Sequence, residues 1–259
     1  MKNDFDLIVH KFDNKNITIY PISDVHLGSL EHNSDEWKKF VETVGTEPNS
    51  YIILAGDLMN NATRSSVSNV FDDVLRPRMQ KKKLIEYLTP IKHKILCAVS
   101  GNHERRSGKD ADDDPMYDVM CKLDLEDIYR ENIAFMKIQI GNGGHSTYTF
   151  AVTHGAGGGI YTGAAVNRNE RFGNIVDGLD CLIVGHTHKG TVSKPSKIVI
   201  NPQQNTVSLK HYTVVSSQSW LRYGGYAVQK MLLPSSNATA ENGQKIVLTK
   251  NRKNIKVIW

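Results

Sequence analysis

The feature that most limits what this chain can fold into is a unit that recurs five times, a short apolar run that stops abruptly at a polar loop. NITIYPIS runs into DVHLGS, YIILAG into DLMNN, KILCAVS into GNHERR, YTFAVT into HGAGGG, and CLIV into GHTHKG. Each run is about four to eight residues long, rich in β-branched or aromatic side chains, and bounded by Gly, Asn or Asp, which is how a buried strand reads.

Helical patterns lie between these runs. Ser34 is placed to cap a helix carrying Trp37, Phe40 and Val41, ending before Gly45 and Pro48. A second helix is expected over Ser66 to Leu75 and a third from about Met79 to Leu88. Asp114-Pro115 opens a fourth, since Asp caps well and Pro suits the first helical position. That helix would turn Met116, Val119, Met120 and Leu123 inward. Strand–helix alternation over the first half predicts βαβ crossovers. After His188 the stretches KIVINP, TVSLKHYTVVSS, YAVQKMLLP, QKIVLT and NIKVIW read as strands. They predict a mostly antiparallel sheet packed on the first, with Asn237 to Gly243 as an exposed loop. No repeat and no Gly-, Ser- or Pro-rich linker divides the chain, so a single domain over residues 1–259 is expected.

Composition narrows the class. An apolar fraction of 39% and a charged fraction of 23% are those of an ordinary globular protein. No apolar run approaches the ~20 residues of a membrane span, and the start, MKNDFDLIVHKFD, is unlike a signal peptide. Three cysteines, Cys97, Cys121 and Cys181, show no CxxC spacing; Cys97 and Cys181 sit in apolar runs as buried thiols do. A reducing, cytoplasmic setting is the expectation. The net charge of +5 suits an anionic substrate or a nucleic-acid surface without demanding either.

Functional groups of an α/β sheet collect in the loops after strand carboxyl ends. Here those loops carry Asp24 and His26, then Asp57, then Asn102 and His103, then His154, then His186 and His188. Five of the ten histidines are among them; His10, His32, His93, His145 and His211 are scattered. Carboxylate, amide oxygen and imidazole together suit borderline divalent ions such as Mn, Fe, Zn, Ni or Co. In an extended segment residues i and i+2 face the same side, so Asp24 with His26, and His186 with His188, would each serve one centre.

These motifs resemble the calcineurin-like metallophosphoesterase superfamily: Asp24-Val25-His26, Gly56-Asp57, Gly101-Asn102-His103-Glu104, His154, and Gly185-His186-Thr187-His188, in that order over roughly residues 17 to 190. The resemblance implies an α/β fold, a two-sheet sandwich of mixed sheets flanked by helices, with its site at one edge where the sheets meet. It also implies two divalent metal ions, with Mn2+ the leading choice and Mg2+ among the alternatives. Asp24, His26 and His188 would bind the first, Asn102, His154 and His186 the second, and Asp57 both. Such a pair acidifies a bridging water and aligns a phosphate for attack. His103 is implied to lie against the phosphate or leaving oxygen, where it can donate a proton.

Arg105 and Arg106 follow the GNHE motif, Arg64 follows Asp57 at loop distance, and Asn167, Arg168 and Arg171 lie within the glycine-rich segment after His154. Arginine grips phosphate through paired hydrogen bonds, which makes these candidate substrate contacts beside a solvated-loop alternative. The Gly155–Gly173 segment is read either as a phosphate cradle or as a poorly ordered loop. The run Arg78, Lys81, Lys82 and Lys83 reads as the wet face of a helix before a nucleic-acid contact. Trp220, Arg222, Tyr223 and Tyr226 are candidates for base stacking, with core packing as the alternative.

The leading expectation is a phosphodiesterase acting on nucleic acid or a nucleotide. A phosphomonoesterase is the main rival. The protein-phosphatase branch usually carries a DRG after its GD, whereas Asp57 is followed by Leu58-Met59-Asn60. A catalytically silent binding module is the rival of another class, and retention of all seven ligand positions counts against it.

Overall fold

The computed structural model of the chain describes residues 3–64, 66, 71, 73–141, 146–159, 161–251 and 253–259, apart from the Tyr226 side chain. The first half runs β1 (Ile8–Phe12), β2 (Asn16–Ile22), α1 (Ser34–Thr46), β3 (Ser50–Ala55), α2 (Pro77–Leu88), β4 (Ile95–Val99), α3 (Arg105–Ala111) and α4 (Pro115–Lys122). Next come β5 (Tyr129–Arg130), β6 (Ile133–Ile140), β7 (Ser146–Thr153), α5 (Thr162–Ile175) and β8 (Cys181–Val184). The remainder is β9 (Thr191–Ser193), β10 (Ser196–Asn201), β11 (Thr206–His211), β12 (Thr213–Ser216), α6 (Gly225–Gln229), β13 (Lys245–Thr249) and β14 (Ile255–Ile258).

Two six-stranded mixed sheets form a sandwich. One has the order β14-β13-β2-β3-β4-β5 and the other β1-β6-β7-β8-β12-β9. In the first, β2, β3, β4 and β5 run parallel, as βαβ crossovers require. In the second, β7, β8 and β12 run parallel. Between the sheets lies an apolar layer that includes Ile19, Ile53, Cys97 and Val99 facing Met136, Phe150, Cys181 and Ile183. Strand β4, ILCAV, is buried along its whole length because it has a layer on each face. β6, IAFMKIQI, buries Ala134, Met136, Ile138 and Ile140 and leaves its other face half-exposed, a two-residue period.

Helices cover the outer faces. α1, α2 and α4 pack Trp37, Phe40, Val44, Leu84, Leu88 and Met120 against Tyr20, Ile52 and Leu54. On the other side, Phe172 and Val176, at and just beyond the end of α5, pack over Leu182, Tyr212 and Val214. The chain leaving β12 then returns to the first sheet. There the Trp220 N–H donates to Asp24 O at 3.0 Å and Trp220 O accepts from Asn33 N at 2.9 Å. The Trp220 ring meets the Trp37 ring edge-on, centroids 5.2 Å apart.

Several expectations needed correction. α1 begins one residue after Asn33, has no side-chain cap, and runs through Gly45 to Thr46. α2 starts at Pro77, not Met79. The helix expected over Ser66–Leu75 falls mostly outside the described residues, and 73–75 are not helical. The C-terminal strands do not form one antiparallel sheet: β9 and β12 extend one large sheet, β13 and β14 the other, and β10–β11 is a separate two-stranded hairpin. YAVQK, taken as a strand, supplies most of the short helix α6. The 237–243 loop is not fully exposed, because Ala238 is buried and its N–H donates to Ser219 O at 2.8 Å. The hairpin turns Ile198, Ile200, Val207 and Leu209 outward, while Lys197 on its other face donates to Asn174 O and Val176 O.

Candidate metal centre

Every motif loop leaves the carboxyl end of a strand on the same edge of the sandwich. Asp24 and His26 follow β2, Asp57 follows β3, and Asn102 and His103 follow β4; His154 follows β7, and His186 and His188 follow β8. Backbone bonds stitch the loops together, with Asp24 N donating to Gly56 O at 3.1 Å and His26 N to Asp57 O at 3.0 Å. Gly56 and Gly101 allow this closeness. A Cβ on Gly56, at φ +83°, would lie 2.6 Å from Gly101 N, and one on Gly101 would lie 2.0 Å from Asp57 Oδ1.

Each buried aspartate commits one oxygen to the protein and turns the other inward. Asp24 Oδ2 accepts from His186 N at 2.9 Å and Ser23 Oγ at 2.5 Å, while Oδ1 accepts no hydrogen bond and lies 3.1 Å from His188 Nε2. Asp57 Oδ1 accepts from His103 N at 2.8 Å, and Oδ2 faces His154 Nε2 at 3.1 Å and His26 Nε2 at 3.9 Å. His154 donates Nδ1–H to Ala55 O at 2.8 Å, which aims Nε2 at the centre. Asn102 Oδ1 lies 3.0 Å from His154 Nε2 and 2.7 Å from His186 Nδ1.

Two outer donor clusters result, Asp24 with His26 and His188, and Asp57 with His154 and His186, with Asn102 at the edge of the second. A third group, His26, Asp57 and His103, overlaps both and joins them. The ligand atoms of each cluster lie within 4.8 Å of one another. The orphaned Asp24 Oδ1 and the 3.2 Å approach of His26 Nε2 to His188 Nε2 are what a cation would reconcile, since lone pairs so placed need positive charge between them. The residues therefore fit a pair of divalent ions. Protons answer the same field. Burial opposes ionisation of Asp57, yet His154 and His103 hold it well below the usual carboxylate range. Burial likewise opposes a charged His154, but Asp57 beside it pushes the ring up to about 9.

The backbone does not reach this geometry as expected. Asp24, His26, Asp57, His186 and His188 all take left-handed φ, from 47° to 71°. The two-apart pairs are thus not extended segments. The segment nevertheless keeps advancing beside the loop after β3, with Leu27 bridging Met59 in parallel, and Val25 between the two ligands is buried in the core. Such conformations cost on the order of 1 kcal/mol each and persist only where the surroundings enforce them.

His103 occupies a different position. Its Nδ1 lies 2.8 Å from Asn60 O, and its Nε2 accepts from Arg106 Nη2 at 2.9 Å and stands 3.8 Å from Asp57 Oδ2. Burial and the neighbouring His26 push the ring down to about 3. With both nitrogens engaged it rims the clusters. Arg106 also donates to Asn60 O at 3.1 Å. The other candidate contacts lie elsewhere. Arg105 turns away to Ser100 O and Glu131 O. Arg168 donates to the carbonyls of Ala156, Gly157 and Gly158, clamping the glycine segment against α5, where a loop was expected. Arg64, Asn167 and Arg171 are exposed.

The stacking group is not brought to the site. Trp220 is core, Arg222 donates to Asn33 Oδ1, and the Tyr223 hydroxyl donates to Leu232 O; the Tyr226 side chain and His145 lie outside the described residues. Lys81 and Lys83 pair with Asp118 and Glu86 on the surface, as a wet helix face does. One supporting residue carried no expected role. Buried Glu104 accepts from Asp57 N, Gly101 N and Met59 N at 2.9 to 3.0 Å, tying the β3 and β4 loops together. Burial and nearby Asp57 push this carboxyl up to about 7. Its place after Gly-Asn-His was the only signal for it.

Overlapping donor clusters linked through His26 and Asp57, at the edge of a two-sheet sandwich, are what a metal-dependent phosphoesterase needs. The model of that class matches directly: residues 17–190 match the calcineurin-like phosphoesterase family, and the chain belongs to it. No curated protein matches the chain. Among solved structures it is similar to a conserved uncharacterized protein from Streptococcus pneumoniae, described as a predicted phosphoesterase, at 11% identity and a TM-score of 0.40, over 94% of this chain and 97% of that one. Among the described residues, no helix is long and apolar enough to cross a membrane.

Proposed function

We propose that the protein is a dinuclear phosphodiesterase acting on nucleic acid or a nucleotide. The observation that carries this is Asp57 Oδ2, which faces both donor clusters at once. In this reading Asp24, His26 and His188 would hold one ion and Asn102, His154 and His186 the other, with Asp57 available to both. When bound, the ions supply Lewis acidity and a water acidified towards neutrality. The donor set of nitrogens and oxygens suits manganese among the borderline ions.

The protein's own groups complete the site. Arg106 and His103 stand together beside Asp57, a guanidinium for phosphate oxygens and an imidazole for the leaving oxygen. An anionic phosphate beside His103 raises its proton affinity, which a donor to an alkoxide needs. Such a donor matters most for diesters and alkyl monoesters, whose alkoxide leaving groups are poor. Of the other candidate contacts, Arg64 and Asn167 remain free to reach a long substrate, whereas Arg105 and Arg168 serve the scaffold. Free thiols at Cys97, Cys121 and Cys181 support a reducing, cytoplasmic setting. The inter-sheet core draws on Ile8 and Ile17 as well as Ile246 and Leu248, which supports one domain over 1–259.

The test compares bis-p-nitrophenyl phosphate with p-nitrophenyl phosphate, using metal-stripped protein and added Mn2+. Metal-dependent turnover favouring the diester, reduced to background in Asp57→Asn, is expected. A preference for the monoester makes the protein a phosphomonoesterase instead.

A further inference from the structure

Beside the metal centre lies a recess of about 270 Å3 that none of the ligands uses. It is lined by Lys189 and Gly190 of the chain that leaves His188, by Trp259 just after β14, and by Leu233 and Pro234. The hydroxyl residues Thr162, Ser235 and Ser236 also line it. Ser235 Oγ donates to His188 O at 3.0 Å, so the recess is tied directly to a metal-ligand residue.

The placement of Trp259 depends on a glycine. A Cβ on Gly190 would lie 2.6 Å from Trp259 Cζ3, so only glycine lets the indole settle there, two residues from His188. Trp259 is nevertheless 53% exposed and Leu233 51%, so the chain itself leaves this apolar surface open. The volume is at the small end of ligand pockets, which begin near 300 Å3. It takes one ring system, not a peptide or an oligonucleotide. An apolar ring face flanked by hydroxyls and a lysine matches a nucleobase, whose faces stack and whose edges hydrogen-bond. A plain aryl group would leave the hydroxyls without partners from the ligand.

We infer that the recess formed by Trp259, Gly190, Leu233 and Ser235 is a nucleobase subsite, stacking the base of a nucleoside phosphate ester on Trp259 while its phosphate lies on the metal centre. This rests on the phosphodiesterase reading and deepens it: the substrate is a nucleotide ester or the terminal nucleotide of a strand.

The chain has three tryptophans, and Trp37 and Trp220 are buried at 0% and 1% exposure, so Trp259 is the ring whose fluorescence a ligand can reach. Metal-loaded protein is titrated with AMP and, separately, with ribose 5-phosphate, which has the same sugar and phosphate but no base. AMP should quench the fluorescence saturably and ribose 5-phosphate should not. Trp259→Ala should abolish the response, and Trp259→Phe should keep AMP ahead of ribose 5-phosphate as an inhibitor. With thymidine 5′-(4-nitrophenyl) phosphate, Trp259→Ala should raise KM about fivefold or more, with kcat within about twofold, as loss of one stacked base requires. Equal quenching by the two ligands, no quenching by AMP, or an unchanged KM in Trp259→Ala overturns the subsite. The fluorescence does not depend on turnover. Base-dependent quenching without hydrolysis of any ester would remove the enzyme reading and leave the nucleobase subsite standing.

Discussion

At the scale of single residues, the chain spends conformational strain where it places chemistry. Five of the seven proposed ligands hold left-handed backbone that non-glycine residues avoid, and Glu104 spends both carboxylate oxygens holding the loops that carry them. Another buried side chain links this region to pH. His32 Nδ1 lies 2.8 Å from Val25 O, next to Asp24, and burial pushes the ring down to about 4 from its ordinary 6.5. The unfolded chain takes up that proton near 6.5 and the folded chain only near 4. The contribution is therefore intact above about 6.5 and lost as pH falls to about 4. Denaturant unfolding at pH 7 and pH 5 should show the native protein losing on the order of 2 kcal/mol more than His32→Asn over that interval. Parallel losses in the two proteins would sink the assignment. The convergence of the proposed ligands was legible in the sequence because each is a motif residue after a strand. The left-handed geometry was not, since nothing in Asp-Val-His as a string distinguishes left-handed backbone from extended backbone.

At the scale of elements, α4 shows local signals and tertiary structure agreeing. Asp114 Oδ1 accepts from Met116 N at 3.1 Å and Tyr117 N at 3.0 Å, and Oδ2 accepts from the Tyr129 hydroxyl, joining the helix start to β5. Asp114→Ala should lower stability by about 2 kcal/mol, roughly half from the cap and half from the stranded hydroxyl. Asp114→Asn should recover most of the first half; urea midpoints measure both. Asp-Pro ahead of Met116 and Val119 made this helix readable. α5 was not readable, because TGAAVNRNERFG has a glycine near each end and its anchoring depends on the distant Tyr212, whose hydroxyl donates to Glu170 O. The same reason explains the C-terminal strands: their apolar runs were visible, but which sheet each joins is decided by partners such as β2 and β8 far away in the chain.

At the scale of the whole molecule, the proposed ligands come from both sheets, three loops from one and two from the other. Cations held there cross-link the sandwich edge and bind the folded state alone. With metal at about a hundred times its Kd, linkage adds roughly 2.7 kcal/mol. Thermal unfolding after chelation should therefore fall by roughly 5–10 °C and recover on adding Mn2+. A melting curve indifferent to chelator would mean that the clusters hold no ion in solution.

The Trp37–Trp220 pair gives this edge an optical signature. Two indoles 5.2 Å apart at 79° exchange excitation energy, and such coupling imprints a signed band on the circular dichroism of the folded protein. Because Trp220 is bonded through its own N–H to the carbonyl of Asp24, any reseating of that loop tilts one member of the pair against the other. The band thus records the posture of the Asp24 loop with no label attached.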